Sequence, residues 1–245
     1  MPQAKLENKD GSDKVKTKEI RRAFLATIPV LTGYLFLGLG CGILLHEAGI
    51  GTGWAVGMSL FLYSGSMQYL IADLLPAGAS LLTIGITTLL VNARHIFYGI
   101  SMIDSYRDIG PAKPYLAFAM TDETYSLLCS LPEDLTGKAK RRYCFYVTAF
   151  DHLYWIIGCL LGSLAGAIIP FSTEGIEFTL TALFITVFVE QWCSTKDHIP
   201  AIIGLGASTV ALLLFGEDML IPAMVLITVS LAVLRRFRKE DAPNE

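Results

Sequence analysis

The chain has 245 residues, 53% of them apolar and only 17% charged, against roughly 25% charged in an ordinary soluble domain. Seven of the 19 Lys and Arg residues fall in positions 1–22 and four in 235–245, which leaves eight for everything between. So sparse a distribution of charge excludes a soluble enzyme, a nucleic-acid binder and a disordered scaffold, and points to an all-α polytopic membrane protein embedded in a lipid bilayer.

Positions 1–22 read as a polar cytoplasmic tail, because they lack the short apolar region of a signal peptide. A helix needs about 20 apolar residues to cross the ~30 Å hydrocarbon core. Eight stretches qualify in chain order: 23–45, 52–72, 79–101, 114–131, 143–169, 176–194, 199–216 and 219–234. The second, third, fourth and sixth carry polar residues and are expected to be broken or tilted. Only Gly216-Glu217-Asp218 separates the last two, which predicts a tight hairpin. The expected count is therefore eight crossings, or six or seven if a polar segment re-enters.

Lys and Arg favour the cytoplasmic ends of spans. With the N-terminus inside, the basic tail, the loop from Lys138 to Arg142 and the run from Arg235 to Lys239 all fall on the cytoplasmic side. The loops around Glu47, Glu174 and Glu217 fall outside and hold no Lys or Arg, and the 102–113 loop, also outside, holds Arg107 and Lys113. This places both termini in the cytoplasm, with 23–234 as a single transmembrane domain of transporter type in the cell membrane and 235–245 as a basic cytoplasmic tail.

A shift of 120 residues brings Arg21-Arg22 onto Arg141-Arg142, Tyr34 onto Tyr154, Gly38 onto Gly158 and Gly42 onto Gly162. An offset of 123 to 124 then pairs Leu60-Phe61 with Leu183-Phe184, Gln68 with Gln191 and Asp73 with Asp197. This suggests an internal duplication with repeats near 21–92 and 141–216. Four spans per repeat make the halves parallel; one re-entrant segment per half makes them inverted. Transporters are often built from two such repeats around a central site of interrupted helices. Gly38-x-x-x-Gly42 and Gly158-x-x-x-Gly162-x-x-x-Gly166 place glycines on one face of the first and fifth spans, the pattern that lets helices approach closely in lipid.

Ionisable and polar groups at membrane depth are costly and mark candidate sites. The run Tyr63-Ser64-Gly65-Ser66-Met67-Gln68-Tyr69 invites a helix break, which would turn backbone N–H groups towards a carboxylate. Asn92, Arg94, His95 and Tyr98 form two neighbouring stripes on the third span. Asp122 and Glu123 point roughly 100° apart on a helix, so one is free to meet Arg94 while the other faces the transport path. Asp151-His152 and Glu190-Gln191 continue the pattern. Asp122, Glu123, Asp151 and Glu190 are the candidates for proton coupling, and Arg94 is the one basic residue assigned to a span.

No enzyme is expected. His46-Glu47 has Ile50 where a zinc-protease helix needs a second histidine, Ser64-Gly65 lacks the preceding glycine of an intramembrane serine protease, and no phosphate-binding glycine loop occurs. The five scattered cysteines form no C-x-x-C pair, so neither a metal nor a cofactor is expected.

The order Ser64-Gly65-Ser66-Met67-Gln68, Asn92-Ala93-Arg94-His95 with Tyr98, and Asp122-Glu123 resembles the AzlC family of branched-chain amino acid permeases over about 23–234. The motif departs from the family's alanine-rich form at Ser66. The resemblance implies the large subunit of a two-component exporter, with a small AzlD-like partner of about four spans. It also implies gradient-driven efflux of leucine, isoleucine, valine or similar apolar amino acids. A zwitterionic apolar substrate needs a donor for its carboxylate, an acceptor for its ammonium and a greasy pocket. The Ser64–Gln68 break or Arg94 is expected to meet the carboxylate, Asp122 or Glu123 the ammonium, and Tyr63, Tyr69, Phe97 and Tyr98 the side chain. Two other classes fit the residues: a channel, and a non-transporting membrane subunit that stabilises a partner.

Overall fold

A computed structural model describes residues 3–132, 134–168, 175, 178–194 and 196–240. They form helices, short 3-10 segments and connecting turns, with no strand among the described residues. The chain divides at Thr181 into two compact units.

The first unit is organised around two long helices, α1 (Gln3–Glu47) and α8 (Gly137–Ile168). Between them lie α2 (Thr52–Phe61), α3 (Gly65–Leu74), α4 (Leu81–Val91), α5 (Arg94–Ser101), α6 (Lys113–Phe118) and α7 (Asp122–Cys129). Helix α1 runs unbroken through position 22, so the polar segment and the first apolar stretch share one rod. Glu19 is buried there and pairs with Arg142 of α8 at 2.7 Å. Arg22 makes a two-pronged contact with Asp134, at 2.6 and 3.0 Å.

The two rods lie side by side through their glycines. A Cβ built on Gly38 would sit 2.9 Å from the Gly158 Cα, and one on Gly158 would sit 2.7 Å from the Tyr34 carbonyl oxygen. Gly42 is pressed against the backbone from Cys159 to Ser163, and Gly162 against Leu39. Contacts advance together along both helices, from Glu19 with Arg142, through Gly38 with Gly158, to His46 with Gly166. The two helices are therefore parallel, and residues superposed by the 120-residue shift meet across the seam. Where apolar burial gives little net drive, such backbone-on-backbone packing supplies the association energy.

The span expected at 52–72 is two half-helices. Leu62 and Tyr63 both donate their backbone N–H to the Met58 carbonyl, and Tyr63 adopts a left-handed φ of 44°. The expectation for 79–101 is likewise met by a bent pair, α4 and α5, which kinks by 42° at Asn92-Ala93. The stretch 114–131 holds two short helices, because Thr121 caps α7 and ends any continuous run from α6. Among the described residues two helices are long and apolar enough to cross a membrane, the segment Thr17–Glu47 of α1 and α8, and the α4–α5 pair makes a third if it acts as one span.

The second unit contains the continuation of α9 (Phe178–Ser194), then α10 (Ile199–Phe215), a 3-10 turn at Gly216–Met219 and α11 (Leu220–Glu240). Helices α10 and α11 form the expected hairpin, with Gly216 supplying a φ of 57° that a side chain would resist. Asp197 accepts the Ile199 N–H at the start of α10, and Trp192 stacks on His198 at 4.1 Å. Helix α9 is continuous at 185–187, where the offset would place the counterpart of the α2–α3 break.

The seam makes a direct prediction. Gly42→Ala is expected to destabilise the protein by about 2 kcal/mol or more, since backbone must give way. Gly33→Ala, at a position open to 4 Å on the same helix, is expected to be neutral or slightly stabilising. Thermal unfolding of the detergent-solubilised chain checks both; equal effects would refute the seam.

Candidate functional site

The site grows from the broken helix. A continuous α2 would give the Ser59 carbonyl to the Tyr63 N–H, but that N–H has turned back to Met58. The orphaned carbonyl instead accepts from Nε2 of His152, at 3.1 Å. This fixes the tautomer, so that Nδ1 is left facing the Tyr115 hydroxyl at 3.1 Å. The Tyr63 ring lies 4.1 Å from the same imidazole. His152 thus replaces a helical hydrogen bond that the break removes, as backbone in a lipid environment requires.

Gln68 braces the other half. It is fully buried, with its Nε2 donating to Ser59 Oγ at 3.0 Å and its Oε1 accepting the Trp155 indole N–H at 2.7 Å. The Trp155 ring then covers Gly65, where a Cβ would come within 2.9 Å of it. Both ends of the Gln68 amide are therefore spent inside the protein, so in this conformation it holds the break open and meets no open space.

The start of α3 carries the charged pair. Ser64 donates to Asn92 Oδ1 at 2.6 Å, and Arg94 donates to Ser66 Oγ at 3.1 Å. The Arg94 guanidinium also pairs with Asp122 Oδ2 at 2.5 Å. Neither member is fully buried, the Arg94 side chain being 30% exposed and that of Asp122 15%. The Tyr98 phenol faces Asp122 and stacks on Tyr125, with ring centroids 4.5 Å apart. His95 turns back to the Asn92 carbonyl at 3.1 Å. The first N–H groups of a helix have no partner within it, so α3 adds its positive end to the guanidinium at this point. Here an arginine and a helix N-terminus converge on one place, with a carboxylate in attendance.

A second polar group lies beside it. Tyr34 of α1 makes two 2.6 Å contacts through its hydroxyl, with Thr121 Oγ1 and Glu123 Oε2. Thr121 reaches Thr124 Oγ1 at 3.1 Å and accepts the Thr124 N–H as the cap of α7. Thr124 in turn donates to Asp151 Oδ2 at 2.7 Å.

The structure thus brings Ser64, Gly65, Ser66, Gln68, Asn92, Arg94, His95, Tyr98, Asp122 and Glu123 to one region, with Asp151 joined through Thr124. Of the expected pocket residues, Phe97 is a correction: it is 70% exposed, because it follows Ile96 onto the outward surface of α5. Tyr69 is buried and donates to the Leu37 carbonyl at 2.7 Å. Glu190 lies on α9, and its side chain falls outside the described residues. Sequence reasoning missed Tyr34, Ser59 and Trp155 as parts of the site, and it gave Thr121 and Thr124, which flank the two acids in the run Thr121-Asp122-Glu123-Thr124-Tyr125, no role of their own. The pattern Thr121-Asp122-Glu123 is a helix-start signal, with a capping hydroxyl followed by acidic residues in the first turn. Reading it so would have placed both carboxylates at a helix N-terminus.

Long apolar helices, a broken helix and an ion pair held among the helices define a helical membrane protein. The AzlC protein family model matches residues 29–169, a stretch that contains every contact of the site. The chain is 42% identical over 219 residues to "Branched-chain amino acid transport protein AzlC" of Bacillus subtilis (strain 168), covering 88% of this chain and 85% of that protein. It is 41% identical to an "Uncharacterized membrane protein" of Helicobacter pylori (strain ATCC 700392 / 26695), covering 89% and 96%. It is also 22% identical to "Inner membrane protein YgaZ" of Escherichia coli (strain K12), covering 89% and 91%. No solved structure matches. This chain is a member of the AzlC family.

The brace yields a prediction. Trp155→Phe leaves the buried Gln68 Oε1 unpaired and is expected to cost about 1–3 kcal/mol. Adding Gln68→Leu to it is expected to recover part of that loss, so that a double-mutant cycle by thermal unfolding shows coupling. Simple additivity would contradict the brace.

Proposed function

We propose that the chain is a membrane transport subunit that exports branched-chain or related apolar amino acids, driven by the membrane gradient. The observation that carries this reading is the Arg94–Asp122 pair beside the N-terminus of α3. An α-amino acid presents one anion and one cation on adjacent atoms. Its carboxylate would take the Arg94 guanidinium and the free N–H groups at the start of α3, while its ammonium would take Asp122. The substrate therefore fits by exchanging into an ion pair that the empty protein makes with itself. The pair's partial exposure supports such an exchange, since a fully buried pair resists opening. The stacked Tyr98 and Tyr125 supply an apolar wall. The printed name of the Bacillus subtilis relative supports the substrate class.

In this reading 23–234 is one transporter domain of eight crossings, with repeats near 21–92 and 141–216 and both ends in the cytoplasm of the cell. The parallel run of α1 and α8 supports the count, because it requires an odd number of crossings between them, and the three stretches 52–72, 79–101 and 114–131 supply three. A small AzlD-like four-span subunit completes the exporter. A carboxyl among Asp122, Glu123, Asp151 and Glu190 couples the proton gradient to substrate exit.

Efflux of labelled valine from loaded cells that express the chain, with and without the small subunit, tests the proposal. Arg94→Ala and Asp122→Asn are each expected to reduce efflux by about tenfold or more, one charged contact being worth roughly 1.5–3 kcal/mol. Arg94→Lys is expected to retain part of it, as a charge without the planar fork. Full efflux in Arg94→Ala at normal protein levels would refute the site.

A further inference from the structure

Tyr34 makes two equally short contacts with one hydrogen to give. Its hydroxyl lies 2.6 Å from Thr121 Oγ1 and 2.6 Å from Glu123 Oε2. A phenol donates once, so one of these two neighbours must be the donor. From there the hydroxyls run on without a gap, Thr121 to Thr124 at 3.1 Å and Thr124 to Asp151 Oδ2 at 2.7 Å. Carboxyl groups terminate the row at both ends.

The surroundings define the charge of that row. Asp151 is completely buried, its Oδ1 has no hydrogen-bond partner, and no ion pair reaches it or Glu123 among the described residues. Two ionised carboxylates in such a place would repel each other in addition to their separate burial costs. The groups facing Asp151 are Glu123 and Thr124 of α7, Tyr34 of α1, Tyr63 at the break, Tyr115 of α6, and Tyr143 and Tyr154 of α8. Its neighbour His152 is engaged with Tyr115 and Ser59. Facing Glu123 are Tyr34, Tyr63 and Asp122, the last held by Arg94. None of these supplies a second cation.

We propose that Glu123 and Asp151 share one proton through the hydroxyls of Tyr34, Thr121 and Thr124, which act as a relay between them. With the proton on Glu123, each group donates in the order Glu123, Tyr34, Thr121, Thr124, Asp151, and Asp151 is the carboxylate. When it moves, Glu123 gives its proton to Tyr34, Tyr34 gives its own to Thr121, Thr121 to Thr124, and Thr124 to Asp151 Oδ2. Four O–H bonds break and four form, the hydroxyls end unchanged but reversed in direction, and one positive charge has crossed from α7 to α8. Every acceptor in one direction is a donor in the other, so the row conducts both ways. Asp122 sits beside Glu123 on α7, so release of Asp122 from Arg94 by a substrate changes the field at one end of the relay. This last link rests on the function proposed above; the shared proton does not.

Infrared difference spectroscopy of the purified full-length chain tests the shared proton without any substrate. A protonated carboxyl band is expected near neutral pH, absent from the Glu123→Gln/Asp151→Asn double variant and shifted in Tyr34→Phe, which removes the first hydroxyl and keeps the ring. Absence of the band from the wild type, its survival in the double variant, or an unchanged band in Tyr34→Phe would overturn the relay. In proteoliposomes, Thr124→Val is expected to reduce pH-gradient-driven valine flux roughly tenfold more than valine exchange at equal pH, a difference of one factor of ten in barrier. Thr124→Ser, which keeps the hydroxyl, is expected to restore the ratio; equal loss of both fluxes would overturn the relay. A wild type that moves no amino acid by either route, yet shows the band and its shifts, would refute the transport reading and leave the relay standing.

Discussion

Everything in the first unit depends on how closely α1 and α8 approach. With glycine at 38, 42, 158 and 162, backbone lies on backbone, and the two rods share a register over most of their length. That register sets Tyr34 of α1 at the level of Trp155, with ring centroids 5.5 Å apart, and within reach of the α7 start. It also aims His152 at the orphaned carbonyl of α2 and Asp151 at Thr124. Small residues here do more than permit packing. They place the polar face of α8 where a broken helix needs it.

The break itself is a solved problem in hydrogen-bond accounting. A helix interrupted in an apolar setting must find partners for the groups it frees. The protein supplies them from side chains: His152 for the Ser59 carbonyl, and Gln68 with Trp155 to hold the two halves together. What is left over, at the start of α3, is a set of N–H groups beside Arg94. The groups bound up in structure and the start of α3 beside Arg94 thus lie side by side, and the same interruption generates both.

Much of this was legible in the residues. The glycine spacing announced the α1–α8 seam, the run from Tyr63 to Tyr69 announced a break, and Arg94 needed a carboxylate that Asp122 provides. Phe97 shows the limit of such reading: being aromatic and three residues from Arg94 did not bring it inward, because it lies with Ile96 on the exposed surface of α5. The parts played by Tyr34, Thr121 and Thr124 were not legible for a different reason. A lone tyrosine in an apolar span, and hydroxyls flanking two acids, acquire meaning only when tertiary packing lines up oxygen with oxygen. Cap chemistry at Thr121 was the one local signal available, and it gave the position of the break that the polar residues of 114–131 only implied.

The central claim is that an apolar amino acid exchanges into the Arg94–Asp122 pair. The most direct measurement is a structure of the chain in lipid with leucine bound. It should show the leucine carboxylate on Arg94 and the first N–H groups of α3, its ammonium on Asp122, and the direct contact between the two residues opened. Leucine bound elsewhere with the Arg94–Asp122 pair intact would contradict the account.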